Sequence, residues 1–199
     1  MLDKYGAGQD PYCYPGSGTL RNRLGIKNEK VLAEAETELT HIAAAEIEFS
    51  PPPYDLEYLK KIHSALFAHL YEWAGEIRHV DISKDTTHFC TAVRIEPEAK
   101  KLFASFAQAN WFIGLERIQL LNKVAQLFGD LNVVHPFREG NGRAQRIMFE
   151  HIIVNLGYEI SWWAIDPGEW TQANIDAVVC DYRGLMQIFD RCIGPPIAG

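Results

Sequence analysis

The chain has 199 residues, with 26 Asp+Glu against 19 Lys+Arg, a net charge of −7 and 47% hydrophobic residues. That is the size of one domain and the balance of an ordinary globular protein, and the acidity argues against a general electrostatic grip on nucleic acid or an anionic membrane. No apolar run nears the ~18–20 residues of a bilayer span, the opening MLDKYGAGQD has no secretory h-region, and Cys13, Cys90, Cys180 and Cys192 form no C-x-x-C pair. The expectation is a cytoplasmic, reduced protein without a zinc site or a disulfide framework.

Periodicity predicts helix almost everywhere. Residues 28–48 place Val31, Leu32, Ala35, Leu39, Ile42, Ala43 and Ile47 at three- and four-residue steps, with Asn28 as N-cap. Ser50-Pro51-Pro52-Pro53 breaks the chain, because proline fixes φ and removes a donor. Asp55 then caps a helix whose inner face is Leu59, Ile62, Leu66, Leu70 and Trp73. Glu76–Ile82 alternates apolar and polar residues, the polar turn Ser83-Lys84-Asp85-Thr86 follows, and Thr87–Ala92 returns, which predicts a β-hairpin. A lone hairpin is marginal, so it must lean on the helices. Pro97 suits the first turn of a helix to about Trp111, and residues 116–134 carry the most apolar stripe, including Ile118, Leu121, Val124 and Phe128. The next helix, 142–156, stops at Gly157. Asp166-Pro167-Gly168-Glu169 reads as a capping box opening a helix to about Val179, and a last helix covers roughly 182–193. The fold class is therefore all-α with one small β-hairpin.

Chemistry concentrates in His135-Pro136-Phe137-Arg138-Glu139-Gly140-Asn141-Gly142-Arg143-Ala144-Gln145-Arg146, a loop running into a helix N-terminus. Gly140 and Gly142 let backbone N–H groups approach a ligand, and the helix start adds free N–H groups and partial positive charge, an anion site. Arg143 and Arg146, three apart, share one face and suit phosphate oxygens. Glu139 would repel that anion unless a divalent cation lay between, and Mg²⁺ held by one carboxylate plus phosphates meets that need. His135 can take a proton near neutral pH. Each piece alone has a plainer explanation: a capping histidine, a turn, a solvated pair of arginines. There is no G-K-[ST] and no dinucleotide fingerprint. The combination describes phosphoryl or nucleotidyl transfer.

That combination resembles the Fic family, whose signature is H-x-F-x-[DE]-G-N-G-R-x-x-R. His135, Phe137, Glu139, Gly140, Asn141, Gly142, Arg143 and Arg146 match all eight fixed positions, a coincidence on the order of once in ten billion starts at average residue usage. D-P-Y-x-Y-P-G at Asp10–Gly16, L-R-N-R-L-G-I at Leu20–Ile26 and Trp73-Ala74-Gly75 before the hairpin resemble the family as well. The resemblance implies a single Fic domain over residues 1–199, with an extension to 53, a core over about 54–193, a flap over 76–92 and the motif loop at 135–146.

It further implies a protein adenylyltransferase that moves AMP from ATP to a Tyr, Thr or Ser hydroxyl. By this resemblance His135 is the general base and Glu139 holds Mg²⁺. Gly140, Asn141 and Gly142 cradle the phosphates, Arg143 and Arg146 bind the β- and γ-phosphates, and Phe137 anchors the loop. The flap Ser83, Lys84, Asp85, Thr86, Thr87, His88 and Phe89 docks the target as an added strand, with Lys84 and Thr86 also within reach of the phosphates. Gln172 and Asn174 are candidates for an adenine edge, although surface polar positions are the better explanation. Trp111, Trp162, Trp163 and Trp170 read as core and rim. Tyr5, Tyr12 and Tyr14 are conceivable self-modification sites, and His41, His63, His69, His79 and His151 form no ligand cluster.

Family members are commonly held off by a helix of pattern [ST]-x-x-x-E-[GN], whose glutamate pairs with the second motif arginine, here Arg146. The only Glu followed by Gly or Asn in this chain is Glu139 itself, with His135 four residues before it. The resemblance therefore implies a toxin whose glutamate comes from a separate small antitoxin protein, and a growth-essential target such as a type II topoisomerase subunit. Another Fic chemistry (phosphoryl or UMP transfer, or AMP removal) and an idle nucleotide-binding module stand as alternatives, although members that transfer phosphate usually carry Lys at the position of Arg143.

Overall fold

The structure, a computed structural model, describes residues 10–84, 87–163 and 165–197. Local signals start the helices. Asn28 caps α1 (Glu29–Ala45) by accepting from Val31 N–H, Asp55 caps α2 (Leu56–Phe67) from Tyr58 N–H, and Asp166 caps α6 (Pro167–Val178) from Glu169 N–H with proline in the first turn. Between them run α3 (Ile95–Gln108), α4 (Arg117–Val134) and α5 (Asn141–Asn155), and α7 (Arg183–Cys192) follows. The fold is all-α, with only small antiparallel strand pairs among the described residues.

Helix α4, which buries more residues than any other helix described, takes the centre, against α3, α5, α6 and α7, while α2 packs on α1, α3 and α5. Phe128 on α4 meets Phe149, Trp170 and Phe189 edge to face, joining α5, α6 and α7 in one aromatic cluster. A Cβ on Gly129 would come within 2.9 Å of Ala177 and Tyr182, so a glycine there lets α6 and the start of α7 approach α4. Both ends of the motif loop thus belong to central helices, α4 before it and α5 after it.

Several expected boundaries shift. The hairpin exists, but its strands are only β1 (Ser83–Lys84) and β2 (Thr87–His88), paired Ser83 with His88 and Lys84 with Thr87. Residues 76–82 do not pair with 87–92 as a long ladder. Arg78 N–H goes to Pro136 O at 2.9 Å and Cys90 N–H to Val133 O at 2.9 Å, so beyond the short pair each arm is tied to the end of α4 and the start of the motif loop, while Phe89 N–H to Ile82 O at 3.4 Å and Ala92 N–H to Asp81 Oδ1 at 2.7 Å link the arms to each other. Asp85 and Thr86 lie outside the described residues, as does Tyr5. Helix α2 stops at Phe67, before Leu70 and Trp73, and α3 stops at Gln108, where Asn110, Trp111 and Phe112 take positive φ. Val31 and Ile42 of the α1 stripe are exposed, as is Ile118 of α4, so only part of each apolar stripe meets the core. One pair had no sequence signal, β3 (Tyr158–Ile160) with β4 (Ile193–Pro196), which ties the end of α7 to the turn after α5.

The segment before α1 is fastened to the motif loop. Asp10 and Arg138, both buried, form an ion pair, with Arg138 Nε to Asp10 Oδ2 at 2.6 Å, while Asp10 Oδ1 accepts from Tyr12 N–H at 2.8 Å. Breaking a buried pair leaves an uncompensated charge, which costs about 3–5 kcal/mol. Asp10→Ala is therefore expected to lower the unfolding free energy by about that amount, read as a lower urea midpoint with unchanged m.

Candidate active site

The motif loop starts with a strained residue. Helix α4 ends at Val134, and His135 adopts the left-handed conformation, φ 46° and ψ 63°, which costs a non-glycine residue on the order of 1–3 kcal/mol unless the surroundings enforce it. Three contacts enforce it. Its N–H donates to Leu131 O at 3.1 Å, its carbonyl accepts from Arg78 Nε at 2.9 Å, and its ring Nδ1 bonds Asn132 O at 3.0 Å. A carbonyl only accepts, so Nδ1 carries the proton and Nε2 is the proton-accepting nitrogen. Phe89 of the flap stacks on the ring, centroids 3.8 Å apart.

Further along, Asn141 braces the turn. Its Oδ1 accepts from Phe137 N–H at 2.8 Å and its Nδ2 donates to Phe137 O at 2.7 Å, so this buried side chain shapes the loop. Phe137, fully buried, stacks on His63 at 3.8 Å. His63 Nε2 donates to Glu139 O at 2.9 Å, and its Nδ1 accepts from Gly75 N–H at 2.9 Å. Gly140 caps α5 with φ 81°, and a Cβ there would overlap the Phe67 ring. Positive φ and close approach together require glycine at this position.

The charged groups divide into engaged and unengaged. Arg143 donates to Glu36 of α1 and, at 3.3 Å, to Thr40, and lies 4.8 Å over the Phe67 ring. Glu36 also accepts from Tyr71. Arg146 has no hydrogen-bonded partner among the described residues. Burial presses its charge toward deprotonation, Arg143 adds repulsion, and Glu150 partly offsets both. Its Nη1 lies within 3.7 Å of where a Cβ of Gly142 would stand, so the guanidinium reaches the first turn of α5. Glu139, half-buried, accepts from Gly140 N–H at 3.1 Å. Among the described residues no group of three or more His, Cys, Asp or Glu could hold a metal.

A cleft of about 180 Å³ opens over this arrangement, lined by Asn132 of α4, His135 and Gly142 of the motif segment, Lys84, Thr87 and Phe89 from the flap, and Trp170, Thr171 and Asn174 from α6. Asn174 reaches the cleft while donating to Trp170 O, whereas Gln172 bonds Asp176 on the outer face. Trp163 is exposed, and Tyr12 is buried with its hydroxyl 2.7 Å from His79 Nδ1. The residues that sequence reading missed are those bracing the loop from afar: Asp10, Glu36, His63 and Arg78.

Residues 53–153 match the Fic/DOC family. The chain is 39% identical over 193 residues to an Escherichia coli (strain K12) protein named "Probable protein adenylyltransferase Fic", covering 97% of this chain and 96% of that one. It is 36% identical over 178 residues to the Bartonella schoenbuchensis protein adenylyltransferase VbhT, covering 88% of this chain but 37% of the longer relative. Among solved structures, the BepC protein of Bartonella tribocorum with bound AMPPNP superposes with a TM-score of 0.85 at 28% identity, over 98% of this chain and 99% of that one. The chain belongs to the Fic/DOC family. It is an enzyme of the nucleotidyltransferase class that this family's protein adenylyltransferases represent. No helix among the described residues is long and apolar enough to cross a membrane.

Burial holds His63 neutral, with its pKa pushed down from 6.5 to about 4. The unfolded chain therefore binds a proton that the folded chain refuses, so the stability due to neutral His63 is complete above pH 6.5 and is lost as pH falls toward 4. That contribution is about 3 kcal/mol. His63→Gln, whose amide can donate to Glu139 O and accept from Gly75 N–H without titrating, is expected to show a shallower fall of unfolding free energy over that window in urea titrations.

Proposed function

We propose that this chain transfers AMP from ATP to a hydroxyl side chain of a target protein, with His135 as general base. The observation that carries this reading is the fixed imidazole. Nδ1–H is tied to Asn132 O at 3.0 Å, which leaves Nε2 to accept a proton at a cleft bounded by the flap and by the first turn of α5. In the reaction, the target hydroxyl oxygen attacks the α-phosphorus, its proton passes to Nε2, and the bond to pyrophosphate breaks. The leading N–H groups of α5 and the Arg146 guanidinium stabilise charge on the departing phosphates. Arg143 lies beside them, its guanidinium shared with Glu36 and Thr40.

The donor set suits Mg²⁺ at Glu139. A single carboxylate beside an anion-binding turn, with no cage of three or more ligating side chains among the described residues, matches an ion that takes its other ligands from phosphate oxygens and water. Bound there, Mg²⁺ supplies charge neutralisation on the triphosphate.

Control in trans belongs to the same reading. The absence of the inhibitory pattern from this sequence and the lack of a hydrogen-bonded partner for Arg146 among the described residues both support a separate antitoxin whose glutamate pairs with that guanidinium. Arg143 and Arg146 also line a cleft of about 330 Å³ between α1 and α5. The target is a protein with an accessible hydroxyl, and a type II topoisomerase subunit is the first candidate to probe.

The test incubates the purified chain, without any partner, with Mg²⁺ and a bacterial lysate. ATP labelled at the α-phosphate is compared with ATP labelled at the γ-phosphate. The expected result is protein label from the α-position only, reduced about 10²–10⁴-fold in His135→Ala, the range for loss of a general base. Label from the γ-position would replace AMP transfer with phosphoryl transfer. Silence of the lone chain would count against control in trans.

A further inference from the structure

One buried side chain joins the flap to the general base. Arg78 is 2% exposed. Its Nε donates to His135 O at 2.9 Å, its Nη1 to Val80 O at 2.6 Å, and its Nη2 to Cys90 O and, at 3.5 Å, to Val134 O. Every one of these acceptors is a backbone carbonyl. Two belong to the end of α4 and one to each arm of the flap. The backbone repeats the connection, with Arg78 N–H on Pro136 O and Cys90 N–H on Val133 O, both at 2.9 Å. Asp81, beside it, favours the guanidinium charge and also holds Ala92 N–H at 2.7 Å, tying one flap arm to the other.

A guanidinium is unfavourable to bury unless its donors are met. The carbonyls at a helix C-terminus are unmatched within the helix and carry partial negative charge, so they suit a cation. The planar fork points its donors in fixed, divergent directions, which is how one side chain can address His135, Val80 and Cys90 together. A lysine ammonium is a compact charge on a flexible stem and cannot reproduce that geometry.

We propose that Arg78 is a positioning residue for group transfer, fixing the register between the flap and His135. It sets the distance between a hydroxyl carried by a flap-docked target strand and the proton-accepting Nε2. This rests on the AMP-transfer reading above. The phosphate side is braced separately, by Asn141 on Phe137 and by Glu36 on Arg143. Loss of Arg78 therefore separates target modification from nucleotide binding, which a general loosening of the fold would not do.

The experiment uses the full chain carrying Arg78→Lys or Arg78→Met. Three quantities are read: transfer of α-labelled ATP into lysate protein, affinity for AMPPNP by calorimetry, and amide exchange along the chain. Transfer is expected to fall by about 10- to 100-fold in both variants, since a misplacement of about 1 Å can cost that much. AMPPNP affinity stays within about threefold, below what loss of one charge-assisted hydrogen bond would cause. The Cys90 amide exchanges faster, and those of α5 are unchanged. Wild-type transfer in Arg78→Lys would overturn the proposal, as would AMPPNP affinity and α5 protection lost in step with transfer.

Should Arg78→Met fail to fold, Asp81→Ala, at an exposed position, removes the acceptor of Ala92 N–H and so probes the same tie between the flap arms. Reduced transfer with unchanged AMPPNP binding supports the proposal, and unchanged transfer contradicts it. If the wild-type chain labels nothing, the AMP-transfer reading has failed on its own. The exchange data then decide for Arg78, with a Cys90 amide equally protected in Arg78→Lys sinking the proposal.

Discussion

A histidine held in the left-handed conformation at the end of α4 is the constraint from which the rest of the site follows. Without the reversal at His135, the chain could not leave the central helix, bury Phe137 and re-enter as α5 within six residues. The conformation is unfavourable for a residue with a Cβ, so it persists only because its neighbours remove the alternatives. Leu131 fixes the backbone N–H, Arg78 fixes the carbonyl, and Asn132 fixes the ring. The same contacts that hold the strain also choose the tautomer and aim the proton-accepting nitrogen.

Behind this residue the loop is held at several points by buried polar side chains. Asn141 closes on both backbone groups of Phe137, His63 bridges Glu139 O and Gly75 N–H, and Asp10 neutralises Arg138. In the proposed transfer, such bracing would let the donors that face the phosphates act with little rearrangement as charge develops, which is where preorganised sites gain most. The two motif arginines also come to differ in use. Arg143 is drawn back toward α1 by Glu36, while Arg146 stays beside Gly142 at the helix start, its charge opposed by burial.

The sequence showed most clearly what local physics determines. The caps at Asn28, Asp55 and Asp166 were legible because each bond spans three residues. The motif loop was legible because its glycines, arginines and helix start lie within twelve positions. The braces were not, since Arg78 meets His135 across 57 residues, His63 meets Glu139 across 76, and Asp10 meets Arg138 across 128. In the alternating run 76–82, Arg78 reads as an outward polar residue. The structure turns it inward because the end of α4 offers carbonyls, and this also shortens the expected hairpin to two residues per strand. Val31 and Ile42 show the converse error: they have helical spacing, but no element covers that side of α1 among the described residues.

The central claim is that the fold fixes His135 as the Nδ1–H tautomer, ready to take a proton at Nε2. Long-range nitrogen–proton NMR on histidine-labelled protein above pH 7.5 measures this directly, because the two tautomers give different patterns of ring couplings. The account predicts a protonated Nδ1 for His135, and the opposite tautomer, with Nε2 protonated, for His63, whose Nδ1 accepts from Gly75. A His135 ring protonated at Nε2 would contradict the account, since that nitrogen could not then act as the base.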